Sequence, residues 1–315
     1  MSALSRTTIL IVLLCACAGL AACGEGDPVV KVDMDKRAKV TTAAPDEAYT
    51  YAYLPQYSHT ISYQRHRDLL EYLRQATGLP LRQIFPDTFD EHIKMVERGE
   101  IDISFSNPFI YVQLAKAGAR AFARVVEPSG RPNYRGQVIC RADNPLIKTL
   151  GDCRGKRWIA VDPGSAGGYL FPRGLFLDAG IRPEDFAEVA FAPGPGGKQE
   201  KVILGVYSGA YDVGTIREGA LNVMGARIDL DTIRILAQTR DYPGWVYAAR
   251  PGLDQAVVER IAEAMFTLGM DDPGQAKILS AAGIRGIIPT GDEDYDPIRE
   301  LAVKLERRAG SGTPP

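Results

Sequence analysis

The chain has 315 residues, 45% of them apolar and 24% charged, enough for a full core and usually too many for one compact unit, so two domains are the starting expectation. A net charge of −2 and a pI near 6.0 exclude the basic surface that a nucleic-acid binder normally needs. The only histidines are His59, His66 and His92; a histidine-built metal centre lacks the several closely spaced ligands it requires, and neither a metal nor another cofactor is expected.

Arg6 precedes the apolar run Ile9-Leu10-Ile11-Val12-Leu13-Leu14, which passes through small residues to Leu20-Ala21-Ala22-Cys23. A short apolar segment ending at a small-residue processing site is an export signal. Gly24, Glu25 and Gly26 stop it short of the roughly 20 apolar residues of a spanning helix. The end of this segment resembles the bacterial lipobox, so residues 1–22 are read as a lipoprotein signal peptide and Cys23 as the lipidated first residue of the mature chain. Lipid there implies a protein anchored at the periplasmic side of a bacterial membrane without spanning it. Residues 23–47 are polar, lack an apolar period and read as a flexible tether. Cys140 and Cys153 then remain in an oxidising compartment, where either a disulfide or two buried free thiols fits.

Order is predicted from Ala48, where Tyr49-Thr50-Tyr51-Ala52-Tyr53 alternates as a strand does. Leu69, Leu70, Leu73 and Ala76 recur at helical spacing and stop at Gly78. A strand at 81–85, a helix at 89–98, a strand at 101–105 and a helix at 109–117 follow. Next come strands at 137–140 and 157–161, a helix at 169–179, a strand at 187–191, a helix at 200–207 and a strand end at 211–214. A return strand at 233–238 leads to 244–249, helices occupy 254–268 and 298–307, and a frayed tail begins at Gly310. Alternating strands and helices build open sheets covered on their faces. The economical arrangement is two α/β lobes, lobe 1 from 48–135 and 236–315 and lobe 2 from 136–235. Such lobes hold ligands beyond the carboxyl ends of their strands and at domain interfaces.

Several ordered segments carry a family likeness. Gly99-Glu100-Ile101-Asp102-Ile103 leads into Ser106-Asn107 and Tyr111-Val112, and Tyr134 stands ahead of Gln137-Val138-Ile139-Cys140 and Asp143-Asn144-Pro145-Leu146-Ile147. Leu150-Gly151-Asp152-Cys153-Arg154-Gly155-Lys156-Arg157 and Asp162-Pro163-Gly164-Ser165 precede Gly168-Tyr169-Leu170-Phe171-Pro172 and Gly180-Ile181. Gly205-Val206, Gly209, Asp212-Val213 and Asp294-Tyr295-Asp296-Pro297-Ile298 complete the series. Over almost the whole mature chain this order resembles the exported solute-binding proteins of phosphonate, phosphite and phosphate ABC importers. The resemblance implies a two-lobed, hinged periplasmic-binding-protein fold of type II. It also implies a monomer that closes on a small anionic ligand and presents it to an ABC permease in the membrane. A sensor that reports to a receptor kinase, or a binder of another polar or anionic solute, are the alternatives on the same fold. In the family the stretch matching Ser165 to Gly168 usually reads Ser-Thr-Ser-Gly, so Ala166 and Gly167 depart from it. Gln199 stands where the family tends to carry a histidine.

The stretch Gly164-Ser165-Ala166-Gly167-Gly168-Tyr169 follows a strand and opens a helix. A helix N-terminus presents free N–H groups and a partial positive charge, so the amides of Ala166, Gly167, Gly168 and Tyr169, with Ser165 as cap and hydroxyl donor, are expected to hold an anion. Ser106 and Asn107 open the facing helix and are expected to form the other half of the clamp, with Pro108 in the first turn. Tyr57 is a candidate to close over the ligand and Tyr134, beside the hinge, a further contact. Gln199 or Lys198 on the glycine-rich turn can donate, and Asp212 is read as following a strand and facing the organic end of the ligand, the role the resemblance implies. Thr215 and Arg217 lie just beyond it, and a guanidinium there turns preference toward an acidic ligand. The turn Gly194-Pro195-Gly196-Gly197-Lys198-Gln199 is not a nucleotide loop, because Ala192 and Gln199 stand where glycine and a hydroxyl residue are required. No nucleophile stands with a positioned base, so no catalytic residues are assigned.

Overall fold

A computed structural model of the protein describes residues 48–310, with side chains through residue 307. The expected signal peptide (1–22), the lipidated Cys23 and the tether (23–47) lie outside the described residues. The chain opens with β1 (Tyr49–Tyr53), α1 (His59–Thr77), β2 (Leu81–Ile84), α2 (Phe89–Glu97), β3 (Ile103–Ser106), α3 (Pro108–Lys116) and β4 (Arg120–Val126). A short β5 (Asn133–Tyr134) leads into β6 (Gly136–Arg141), β7 (Arg157–Ala160), α4 (Phe171–Asp178), β8 (Glu188–Phe191), α5 (Lys198–Tyr207), β9 (Val213–Arg217), α6 (Ala220–Met224) and β10 (Ile233–Gln238). Then come β11 (Tyr242–Pro243), β12 (Val246–Ala249), α7 (Gln255–Phe266), α8 (Pro273–Ala282), β13 (Gly286–Pro289) and α9 (Asp296–Gly310).

Two mixed sheets result, in the two-lobed periplasmic-binding-protein arrangement. The first has the order β13-β4-β12-β3-β1-β2 and takes strands from both ends of the chain; the second, β10-β6-β9-β7-β8, is built from the middle. β1 runs parallel to β2 and β3, and β7 runs parallel to β8 and β9, while β12 and β6 enter antiparallel. The two crossings run side by side: β5 pairs with β11 through Tyr134 opposite Tyr242, and Gly136 and Thr239 exchange two hydrogen bonds of 3.0 Å. β10 stays paired with β6 as far as Gln238, so the chain leaves the second sheet three residues beyond the boundary expected at 235.

Local sequence explains the ends of these elements. Ser58 caps α1 and Gly78 ends it in the left-handed region at φ 67°, a conformation glycine adopts without a Cβ penalty. In the second sheet the period of two sorts the core: Val138, Cys140, Trp158 and Ala160 face one layer, and Ile139, Ile159 and Val161 the other. The strands β4 and β13 and the helices α6 and α8 were not expected from the sequence. In β4 the charges of Arg120 and Arg124 interrupt an otherwise apolar strand pattern.

Cys140 and Cys153 are both buried and both free thiols, so the possible bridge is not formed in this structure. The histidines serve the first lobe: His66 pairs with the Tyr51 hydroxyl and His92 with Ser104, each at 2.7 Å. Among the described residues no group of histidine, cysteine, aspartate or glutamate forms a metal site.

Candidate functional site

The carboxyl ends of β3, β7 and β9 meet at the seam between the lobes. After β7 the chain turns at Gly164 and enters a short π-helix over Ala166–Leu170, continuous with α4. Ser165 caps it, its Oγ accepting from the Gly168 N–H at 3.1 Å. The first amides of a helix lack an intrahelical acceptor; that of Ala166 remains for a ligand, while the Gly167 N–H is directed at the Tyr134 hydroxyl oxygen. Gly168 is required by packing: a Cβ there would lie 2.3 Å from Val161 Cγ2. Its carbonyl accepts from Thr215 Oγ1 at 2.6 Å, and that oxygen accepts in turn from the Trp158 indole at 2.9 Å, which fixes the turn against the second sheet.

Across the seam, Asn107 does two structural jobs. Its Oδ1 accepts from the Phe109 and Ile110 N–H groups at 2.9 and 3.1 Å, and its Nδ2 donates to the Gly164 carbonyl at 3.1 Å. The structure therefore corrects the expected symmetry of two amide-lined turns: α3 has its early amides occupied by Asn107 and none from Pro108. What the first lobe offers instead is the Ser106 hydroxyl, fully buried and without a hydrogen-bond partner.

Tyr134 and Arg217 complete the group. The Tyr134 hydroxyl is buried and unpartnered. Burial pushes its phenol well above the usual range, against the opposing pull of the Arg217 charge and the Gly167 amide, so it is a neutral donor. Arg217 ends β9 and crosses the seam, its Nη2 donating to Glu127 Oε1 at 2.8 Å and Oε2 at 2.7 Å. Burial works against the Arg217 charge, and the Glu127 carboxylate together with the Tyr57, Tyr134 and Tyr53 side chains more than restores it. The guanidinium lies 5.0 Å from the Tyr134 ring centre and 5.7 Å from that of Trp245, a cation–π arrangement. Its Nε is buried and unpartnered. Gly167 is enclosed by the same two side chains: a Cβ there would stand 2.7 Å from Tyr134 Cε2 and 2.9 Å from Arg217 Cβ.

Other expected residues fall differently. Gln199 is buried at the start of α5; its N–H reaches the Gln56 carbonyl at 3.3 Å across the seam, and its Oε1 accepts from the Arg217 N–H at 3.2 Å. It positions Arg217. Lys198 is held by the Ala192 carbonyl at 2.8 Å and Asp162 at 3.4 Å. The Tyr169 ring packs against Trp158 and Phe191 within the second lobe, leaving only its backbone near the turn. The Ala166 side chain enters the first lobe's core. Tyr57 is buried beneath the Arg65 guanidinium, 5.2 Å from its ring centre. Asp212 requires a correction. It precedes β9 and holds the Arg157 N–H at 2.9 Å at the start of β7, the end of the sheet opposite Ser165 and Arg217. Glu127 and Trp245 were not anticipated, although Glu127 follows a strand directly, the same signal that marks Ser106.

Beyond Arg217 the seam opens into a cavity of about 470 Å³ whose walls include Tyr57, Arg65, Glu127, Gln137, Leu221 and Val223.

The Phosphate-import protein PhnD of Mycolicibacterium smegmatis is 25% identical over 285 residues, 85% of this chain and 88% of that protein. The tetrathionate sensor histidine kinase TtrS of Salmonella typhimurium is 28% identical over 184 residues, 54% of this chain and 31% of the kinase. Among solved structures, PhnD1 from Prochlorococcus marinus in complex with methylphosphonate has the same fold, with a TM-score of 0.75 at 15% identity over 84% of this chain and 99% of that one. The profile of the family described as "ABC transporter, phosphonate, periplasmic substrate-binding protein" matches residues 51–295. With that match running from β1 to the turn before α9, the chain belongs to this family of solute-binding proteins and is not an enzyme.

Proposed function

We propose that the protein captures a small phosphorus oxyanion, a phosphonate, phosphite or phosphate, at the seam between its lobes and delivers it to the permease of its transporter. The observation that carries this reading is the set of buried donors left unpartnered from both lobes: Ser106 Oγ from the first, Arg217 Nε from the second and Tyr134 Oη from the crossing between them. A buried polar group without a partner costs roughly 1–3 kcal/mol, so such groups set around the turn at 164–168, beside the Ala166 amide, call for an anion. The reading agrees with the phosphate import named for the mycobacterial relative and with the methylphosphonate held by the Prochlorococcus protein. Ligand contacts on both lobes then shift the population toward the closed form.

The test is thermal shift and titration calorimetry of the mature protein with phosphite, methylphosphonate and phosphate. A ligand at 100 times its Kd stabilises the folded state by about 2.7 kcal/mol. Stabilisation by some other solute and by none of these three would reject the ligand class and keep the fold. The likeness to a sensor kinase supports a second reading, in which the closed form is delivered to a receptor; co-purification with a permease or with a kinase separates the two. Anchoring through Cys23 belongs to the same proposal, and radiolabelled fatty acid should enter the wild-type protein and not Cys23→Ala.

A further inference from the structure

We infer that the ligand carries a second acidic group several atoms from its phosphorus head, and that Arg65 receives it. This inference rests on the oxyanion reading above. A bare oxyanion or methylphosphonate is satisfied by the donors around Gly167, yet the seam continues past Arg217 into a cavity of about 470 Å³, a volume within the roughly 300–1,000 Å³ range of sites that enclose whole organic molecules. Its lining carries two arginines and two glutamates, but they are not matched pair by pair. Arg217 is neutralised by Glu127 at 2.7 Å, and Glu218 faces Arg131 at 3.8 Å. Arg65 lines the same cavity, and among the described residues no carboxylate lies within ion-pair distance of it. One Nη2 donor is spent on the Ala282 carbonyl at 2.6 Å and the guanidinium face rests over Tyr57. Its Nε is buried and has no partner.

A guanidinium over an aromatic ring, held through one carbonyl and without a carboxylate partner at a cavity wall, is pre-organised to receive a planar carboxylate or a second phosphoryl group. A cationic tail placed against Arg65 meets like charge, and a neutral tail leaves the guanidinium without a counter-charge. The ligand class is therefore a phosphonocarboxylate or a comparable bifunctional anion.

The experiment is calorimetry on the full mature protein with methylphosphonate, propylphosphonate, 2-aminoethylphosphonate and the series phosphonoacetate, 3-phosphonopropionate and 4-phosphonobutyrate. At least one diacid is expected to bind about tenfold or more tightly than propylphosphonate, the size of one charge-assisted hydrogen bond, with the aminoethyl compound weakest. Arg65→Gln should erase the diacid advantage while leaving methylphosphonate affinity within about twofold, and Arg65→Lys should restore part of it. The inference falls, with the oxyanion reading intact, if methylphosphonate binds but no diacid exceeds propylphosphonate, or if the advantage survives Arg65→Gln. An equal loss for methylphosphonate in Arg65→Gln also overturns it, because Arg65 would then serve the head. If no phosphonate binds, the inference falls, and the oxyanion reading falls with it only where phosphite and phosphate also fail to bind.

Discussion

Replacing Arg217 with methionine tests whether the seam is a closing surface. Arg217 and Glu127 are both nearly excluded from solvent and joined by contacts of 2.8 and 2.7 Å. Stranding one member of a buried pair costs about 3–5 kcal/mol. The two residues belong to different lobes, so the stranded Glu127 carboxylate can escape this cost by parting the lobes and meeting water. The whole penalty should then fall on the closed form and little of it on global unfolding, lowering the ratio of closed to open protein by about 10²- to 10⁴-fold. Small-angle scattering should show a larger radius of gyration for Arg217→Met than for wild type, with the free energy of urea unfolding unchanged to within about 1 kcal/mol. Adding Glu127→Leu removes the stranded charge and should return the radius toward the wild-type value, since replacing both members of a buried pair by apolar groups is often neutral. A fall of about 3–5 kcal/mol in unfolding free energy with no change in radius would refute the argument, because the pair would then be part of an interior that never opens.

Ser106→Ala removes a buried hydroxyl that has no protein partner, so urea stability should stay within about 0.5 kcal/mol while calorimetry shows oxyanion affinity lowered by about tenfold. Gly168→Ala forces a methyl to 2.3 Å from Val161 Cγ2 and should cost about 1–3 kcal/mol in urea unfolding, with binding weakened as well. Acid should destabilise the first lobe through its buried histidines, because burial lowers His92 to about 3 and His66 well below its ordinary value. Folded-state values depressed below the unfolded 6.5 mean that the unfolded chain takes up the proton first. The contribution is intact above pH 6.5 and is lost as pH falls toward 3, at about 1.4 kcal/mol per pH unit for each histidine. Urea midpoints from pH 7 to 4 should therefore fall less steeply in His92→Gln; an unchanged slope contradicts the assignment.

The strand–turn–helix after β7 was legible in the sequence because it announces itself locally: the strand 157–160 runs into Asp162-Pro163-Gly164-Ser165, and the cap, the small residues and the helix follow without a gap. The stop of α1 at Gly78 was equally local. What failed was register. Reading the strand at 211–214, when it occupies Val213–Arg217, made Asp212 look like a residue beyond a carboxyl end. The true end was Arg217, and a slip of a few residues moved the assignment to the far edge of the sheet. Asn107 failed for a different reason. Capping and ligand binding demand the same residue type at the same helix end, and only the partners at 2.9 and 3.1 Å distinguish them. Glu127 was hidden because β4 itself was, and its importance depends on a partner 90 positions away.

The two departures from the family's turn can be understood as one exchange. Where the family places hydroxyl side chains, this chain has Ala166 and Gly167, and the space above Gly167 is filled by Tyr134 and Arg217: any Cβ at 167 would come within 2.7 Å of one and 2.9 Å of the other. A serine at 167 and the present positions of these two side chains are mutually exclusive. The hydroxyls are thus replaced by a phenol and a guanidinium that approach the same turn from the crossing and from β9. The exchange changes what the seam must provide. Neutral hydroxyls need no counter-charge, whereas a buried guanidinium requires one, and Glu127 supplies it from the first lobe. In the hinge motion proposed above, closure assembles the cation and its neutralising partner in the same movement. Anion affinity and closure would then depend on the same side chain, Arg217, whose backbone N–H donates to Gln199 Oε1 at 3.2 Å.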